Sequence, residues 1–117
     1  KELNMETAAG LIKLKPETKI TVEDWKATLR ERADEAIATL KDEGVEIESW
    51  FEVEISGESY LLWYMRAESI SKVWEIAGKS EYDIDAYHFK VMADITAPNG
   101  EIQAIPILDL CNENPST

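Results

Sequence analysis

The feature that most constrains this chain is the change of hydrophobic period at Gly44. Before it, Trp25, Leu29, Ala33, Ala36, Ile37 and Leu40 recur at the three-and-four spacing that gathers side chains on one helix face. After it, Val45, Ile47, Phe51, Val53 and Ile55 alternate with Glu46, Glu48, Glu52 and Glu54, the period of a strand. Thr21 with Asp24 three residues on makes an approximate capping box, and Gly44 is a natural stop. The expectation is one helix of about 22 residues, roughly 33 Å long, feeding a strand whose glutamate face is wet.

The remaining elements arrange themselves around this pair. Gly10 to Lys15 alternates and stops at Pro16, which predicts a first strand. Ser56 to Ser59, with Gly57 inside, reads as a hairpin turn into Tyr60–Arg66, an almost continuous apolar run suited to a central strand. Ile70, Val73, Trp74 and Ala77 predict a helix that opens after Ser69 and ends near Gly78. A further helix begins near Asp83 and carries Ile84, His88 and Val91. Pro98-Asn-Gly100 signals a turn before a last strand, Ile102–Leu110, which Pro106 confines to a sheet edge. The order is that of an α+β, ferredoxin-like βαββαβ domain, with a four-stranded antiparallel sheet and helices on one face.

A chain of 117 residues, 44% of them apolar, is expected to form a single domain over 1–117, with 111–117 as a flexible tail. Twenty-four acids against twelve bases give a net charge of −12, which argues against nucleic acid and anionic membrane surfaces as partners. No apolar run approaches the ~18 residues of a membrane span, and the N-terminus has no signal-peptide pattern, so the expected location is the cytoplasm. Cys111 is the only cysteine, which leaves no internal disulfide and no zinc-ligand spacing. Neither a glycine-rich phosphate loop nor a glycine-flanked serine elbow occurs, and no cofactor or metal is expected.

Lys13-Leu-Lys-Pro16, Trp25, Thr39-Leu-Lys-Asp-Glu-Gly44, Tyr60-Leu-Leu-Trp-Tyr-Met-Arg-Ala67 and Ile84-Asp-Ala-Tyr-His88 together carry a resemblance. The pattern resembles an uncharacterised family of small bacterial domains similar to the dimeric α+β barrel superfamily. That resemblance implies a homodimer in which two sheets pack face to face. It also implies a hollow within the barrel or between each sheet and its helices. The wider superfamily spans monooxygenases, mutarotases, lactone isomerases and haem enzymes, and no catalytic set of theirs maps onto this sequence by motif.

Two clusters of residues can carry chemistry. Asp85 and His88 lie three apart on one predicted helix, so that Asp85 could orient the imidazole for proton transfer, with Asp83 nearby. The structural alternative has Asp83 capping the helix, Asp85 complementing its positive end and His88 packed against the sheet. The second cluster is aromatic: Trp50, Tyr60, Trp63 and Tyr64 sit on paired strands as candidate ligand-binding residues. Alternation puts Tyr60, Leu62 and Tyr64 on one face and Leu61, Trp63 and Met65 on the other. One face meets the helices; the other is too apolar for water and calls for a partner sheet or a ligand.

The leading expectation is a homodimer that binds a small organic molecule in an apolar cavity. One alternative is a cofactor-independent isomerase or monooxygenase-like enzyme using His88 and Asp85. Another is an acidic protein-interaction or stress-associated module.

Overall fold

The computed structural model describes residues 5–112. Strands β1 (Glu6–Leu14), β2 (Val45–Ile55), β3 (Glu58–Ala67) and β4 (Thr96–Ala104) form one antiparallel sheet in the order β2-β3-β1-β4. Helices α1 (Lys19–Glu31) and α2 (Ala33–Glu43) fill the first crossover, and α3 (Ile70–Ala77) and α4 (Asp83–Ile95) the second. All four lie on one face of the sheet, as a ferredoxin-like domain requires. The expected tail is outside the described residues from position 113 onward; Cys111 and Asn112 have no regular structure, and the Cys111 side chain is exposed.

The single long helix expected before Gly44 is two. Arg32 alone leaves the helical basin, at φ −107° and ψ 35°, while its guanidinium grips Glu35 through two hydrogen bonds of 2.9 and 2.5 Å. The break lets α1 pack on α4 while α2 turns to meet β2 and α3. The start also moves: Thr18, not Thr21, precedes the first turn, and its hydroxyl donates backward to the Lys15 carbonyl. Gly44 closes α2 in the left-handed conformation, φ 76°, with no obstruction around it. Ser69 caps α3 by accepting from the Lys72 amide at 3.3 Å.

The hairpin forms as predicted, with Ser56 and Gly57 both at positive φ (52° and 81°) and Ile55 paired with Glu58. The last strand differs. It runs from Thr96 to Ala104 and not to Leu110, so Pro106 lies beyond it and Pro98 within it. The Pro-Asn-Gly signal is realised as a bulge: Leu14 pairs with Thr96 and Ile12 with Glu101, leaving Ala97–Gly100 as excess chain on the edge strand. Gly100 is required there, because a Cβ would lie 2.7 Å from the Ala97 carbonyl oxygen.

A second bulge decides the face of β2. Val45 pairs with Ala67 and Ile47 with Arg66, so Glu46 is an extra residue and the alternation shifts by one. Val45 is buried toward the helices, but Ile47, Phe51 and Ile55 are exposed on the helix-free face. Glu48, expected on the wet face, points instead beneath the helices, as does Trp50.

Two apolar clusters hold the layers together. Ile12, Val22, Trp25, Leu61, Val91 and Ile95 form one, and Val45, Met65, Ala67 and Val73 the other. Trp63 packs against both.

Candidate functional site

A cavity of about 450 Å³ opens between the sheet and the helices, where the two clusters part. Its sheet side is set by register: Glu48 lies opposite Met65, and Trp50 opposite Trp63, which in turn lies opposite Gly10. Gly10 permits this, since a Cβ there would come within 2.8 Å of the Trp63 indole nitrogen. The Trp63 ring meets Trp74 of α3 edge to face at 5.9 Å, extending the aromatic wall across to the helices.

The helix side contributes Glu43 from the last turn of α2 and Asp85 and His88 from α4. Trp25 of α1 donates its indole N–H to His88 Nδ1 at 3.1 Å. Because Nδ1 accepts, the neutral ring carries its proton on Nε2, and that atom takes no protein partner among the described residues. His88 is packed between Trp25 at 5.9 Å and Trp50 at 5.5 Å. Burial favours the uncharged ring and lowers its pKa, against a weaker opposing pull from Asp85.

The sequence paired Asp85 with His88; the structure pairs them with others. Asp85 accepts a 2.6 Å hydrogen bond from Ser80, and Trp25 holds the imidazole. Asp83 occupies the first helical position of α4 but does not cap it; Tyr82 precedes the helix without a side-chain capping bond.

Burial works on the carboxyls in the opposite sense. Glu43 is pushed up to about 7 by loss of solvent and by the neighbouring charges of Asp85, Glu48 and Asp42. Glu48 is raised for the same principal reason, although the Trp50 N–H it accepts at 2.8 Å pulls it partly back. The cavity thus joins Glu43, which holds its proton near neutrality, and Glu48, whose pKa is raised, to a histidine that resists taking a proton.

Of the four aromatic candidates, Trp50 and Trp63 line this cavity. Tyr60 and Tyr64 sit on the helix-free face, where the Tyr64 hydroxyl accepts from Arg66 Nε at 3.1 Å. Glu43, Glu48, Trp25 and Trp74 escaped the sequence reading. Glu48 was hidden by the bulge at Glu46, which nothing in the alternating pattern announces. A wider groove of about 820 Å³ beside the hairpin, reached by Tyr60, is lined by lysines and glutamates and holds neither histidine nor tryptophan.

A model of the family described as "Family of unknown function (DUF6176)" matches residues 5–114. No curated protein matches the chain. Among solved structures, the L-rhamnose mutarotase of Formosa agariphila aligns over 90% of this chain and 98% of its own, with a TM-score of 0.57 and 21% identity. A protein of unknown function from Nitrosomonas europaea aligns over 95% of this chain and 100% of its own, with a TM-score of 0.46 and 10% identity. The first likeness is one of fold: a four-stranded antiparallel sheet covered by helices, the ferredoxin-like α+β arrangement.

Proposed function

This chain belongs to the DUF6176 family of unknown function, and on that premise we propose that it binds a small organic molecule between sheet and helices and moves protons on it, as an isomerase does. The observation that carries this reading is the meeting, in one cavity, of Glu43 and Glu48 with raised pKa values and a neutral His88 whose Nε2–H has no protein partner among the described residues. A carboxyl that keeps its proton near pH 7 can give it to one heteroatom of a ligand while an ionised neighbour takes a proton from another. Protons balance within the pair, and no electrons leave. His88 Nε2 donates a hydrogen bond that positions the ligand, and Trp50 and Trp63 offer apolar surface to its ring or chain. The fold relative named as a mutarotase supports an isomerase-type reaction, and the cavity on the helix side of the sheet supports a ligand there.

The working unit in this proposal is a homodimer. Phe51, Leu62, Leu11 and Ile102 pair in one continuous row across all four strands of the helix-free face, an apolar band that a second sheet would cover.

Saturation-transfer NMR against a panel of small hydroxylated aldehydes, ketones and amines tests the reading. A true ligand loses its signal with Trp63→Leu, and exchange between its isomers slows at least tenfold with Glu48→Gln. If no panel member responds to these cavity substitutions, the proposal fails.

A further inference from the structure

The geometry points to an organic ammonium as the occupant of this cavity, an assignment that rests on the small-molecule reading above and specifies its ligand. Four carboxylates line the hollow, from four different elements: Glu43 of α2, Glu48 of β2, Asp85 of α4 and Glu101 of β4. Among the described residues no lysine or arginine lines it. Elsewhere the chain pairs its acids freely, as in Lys13–Glu58, Lys26 with Glu23 and Glu52, Arg32–Glu35 and Arg66–Asp109. Acids kept apart from cations in a partly desolvated space are costly unless protons or a bound cation neutralise them.

The walls suit such a cation. Trp50, Trp63, Trp74 and Phe89 all border the hollow, and indole faces attract ammonium groups through their negative quadrupole. Trp63 and Trp74 stand nearly perpendicular, at 86°, so one presents an edge where the other presents a face. Inorganic cations do not fit as well: among the described residues no three His, Cys, Asp or Glu side chains converge as metal ligands do. A spread of carboxylates around an aromatic box matches a charge distributed over an alkylated nitrogen, which is weakly hydrated and needs no close coordination. Anionic ligands, phosphorylated or carboxylated, meet only like charge.

Choline and its uncharged carbon isostere, 3,3-dimethylbutan-1-ol, separate charge from shape. Tryptophan fluorescence titration of the native protein should show choline binding at least tenfold more tightly than the alcohol. The fold-checked double variant Glu43→Gln with Glu48→Gln should lose at least tenfold in choline affinity. Trp63→Leu should lose a similar factor, which distinguishes the cavity from diffuse attraction to an acidic surface. Equal binding of alcohol and choline overturns the ammonium assignment and leaves the cavity reading standing. Choline binding that survives all three substitutions, or no choline binding at millimolar concentration, also overturns the assignment. The cavity reading itself stands or falls by the separate ligand panel.

Discussion

Trp25 Nε1 and His88 Nδ1 are 3.1 Å apart across 63 residues of sequence, and this single bond joins α1 to α4 at the wall of the cavity. It fixes the neutral histidine tautomer and leaves the proton on Nε2.

Trp25→Phe keeps an aromatic ring in the core but removes the donor together with part of the buried indole, so packing loss adds to the hydrogen-bond loss. Losing one such bond should cost about 0.5–1.5 kcal/mol of stability. The donor favours neutral imidazole, so its removal should raise the His88 pKa back toward the ordinary histidine value. His88 is the only histidine in the chain, and its ring protons can be followed by NMR titration without assignment ambiguity. An unchanged titration midpoint would show that burial alone controls the ring.

Glu43 gives the pH dependence of folding a sign. Its folded pKa of about 7 lies above the ordinary carboxyl value of 4.5, so the native state binds the proton more tightly than the unfolded chain does. Glu48 acts in the same direction. Their combined contribution is fully present below the unfolded value and is lost as pH rises through the folded one. His88 works oppositely: its lowered pKa makes the native state gain stability as pH rises toward the ordinary histidine value. Thermal midpoints measured between pH 5 and pH 8 should therefore fall more steeply in the wild type than in Glu43→Gln, whose profile keeps the His88 rise. Parallel profiles for the two proteins would sink this account.

Much of the fold was legible because period and punctuation agree locally. The helix-to-strand switch at Gly44, the Ser56-Gly57 hairpin and the Ser69 cap all stand where the residues put them. What escaped was written in register and not in composition. One extra residue, Glu46, turned Glu48 and Trp50 inward and Phe51 outward, and no propensity distinguishes a bulged glutamate from a paired one. The break at Arg32 has neither proline nor glycine to mark it; it follows from tertiary contacts that draw α1 and α2 toward different neighbours. The candidate site was half visible for the same reason. His88, Asp85, Trp50 and Trp63 were found as residue types, whereas Glu43, Glu48 and Trp25 required the third dimension.

Gly10 supports the site from behind. In Gly10→Ala the new methyl would stand 2.8 Å from Trp63 Nε1 and 3.0 Å from the Ile102 carbonyl oxygen, so the indole must shift. Overpacking of this kind costs about 1–3 kcal/mol. Urea denaturation should show that loss, and the tryptophan emission of the folded variant should change as the aromatic wall moves. A variant with wild-type stability and emission would mean that Trp63 has room to yield.

Leu62 tests the proposed dimer without touching the cavity. It sits at the centre of the helix-free row, flanked by Leu11 on one side and Phe51 on the other, with its side chain on the face opposite Trp63. Leu62→Glu places a charge in the middle of the surface that the partner sheet would desolvate, where an unpaired carboxylate is strongly unfavourable. Within one chain the same position borders solvent, so the monomer fold should survive. Light scattering should give twice 13.3 kDa for the wild type and a single-chain mass for Leu62→Glu, with unchanged far-ultraviolet circular dichroism. A wild type that scatters as one chain would remove the dimer. A Leu62→Glu protein that remains dimeric would move the interface elsewhere, the exposed segment of Ile105, Ile107, Leu108 and Leu110 being the next apolar surface to probe.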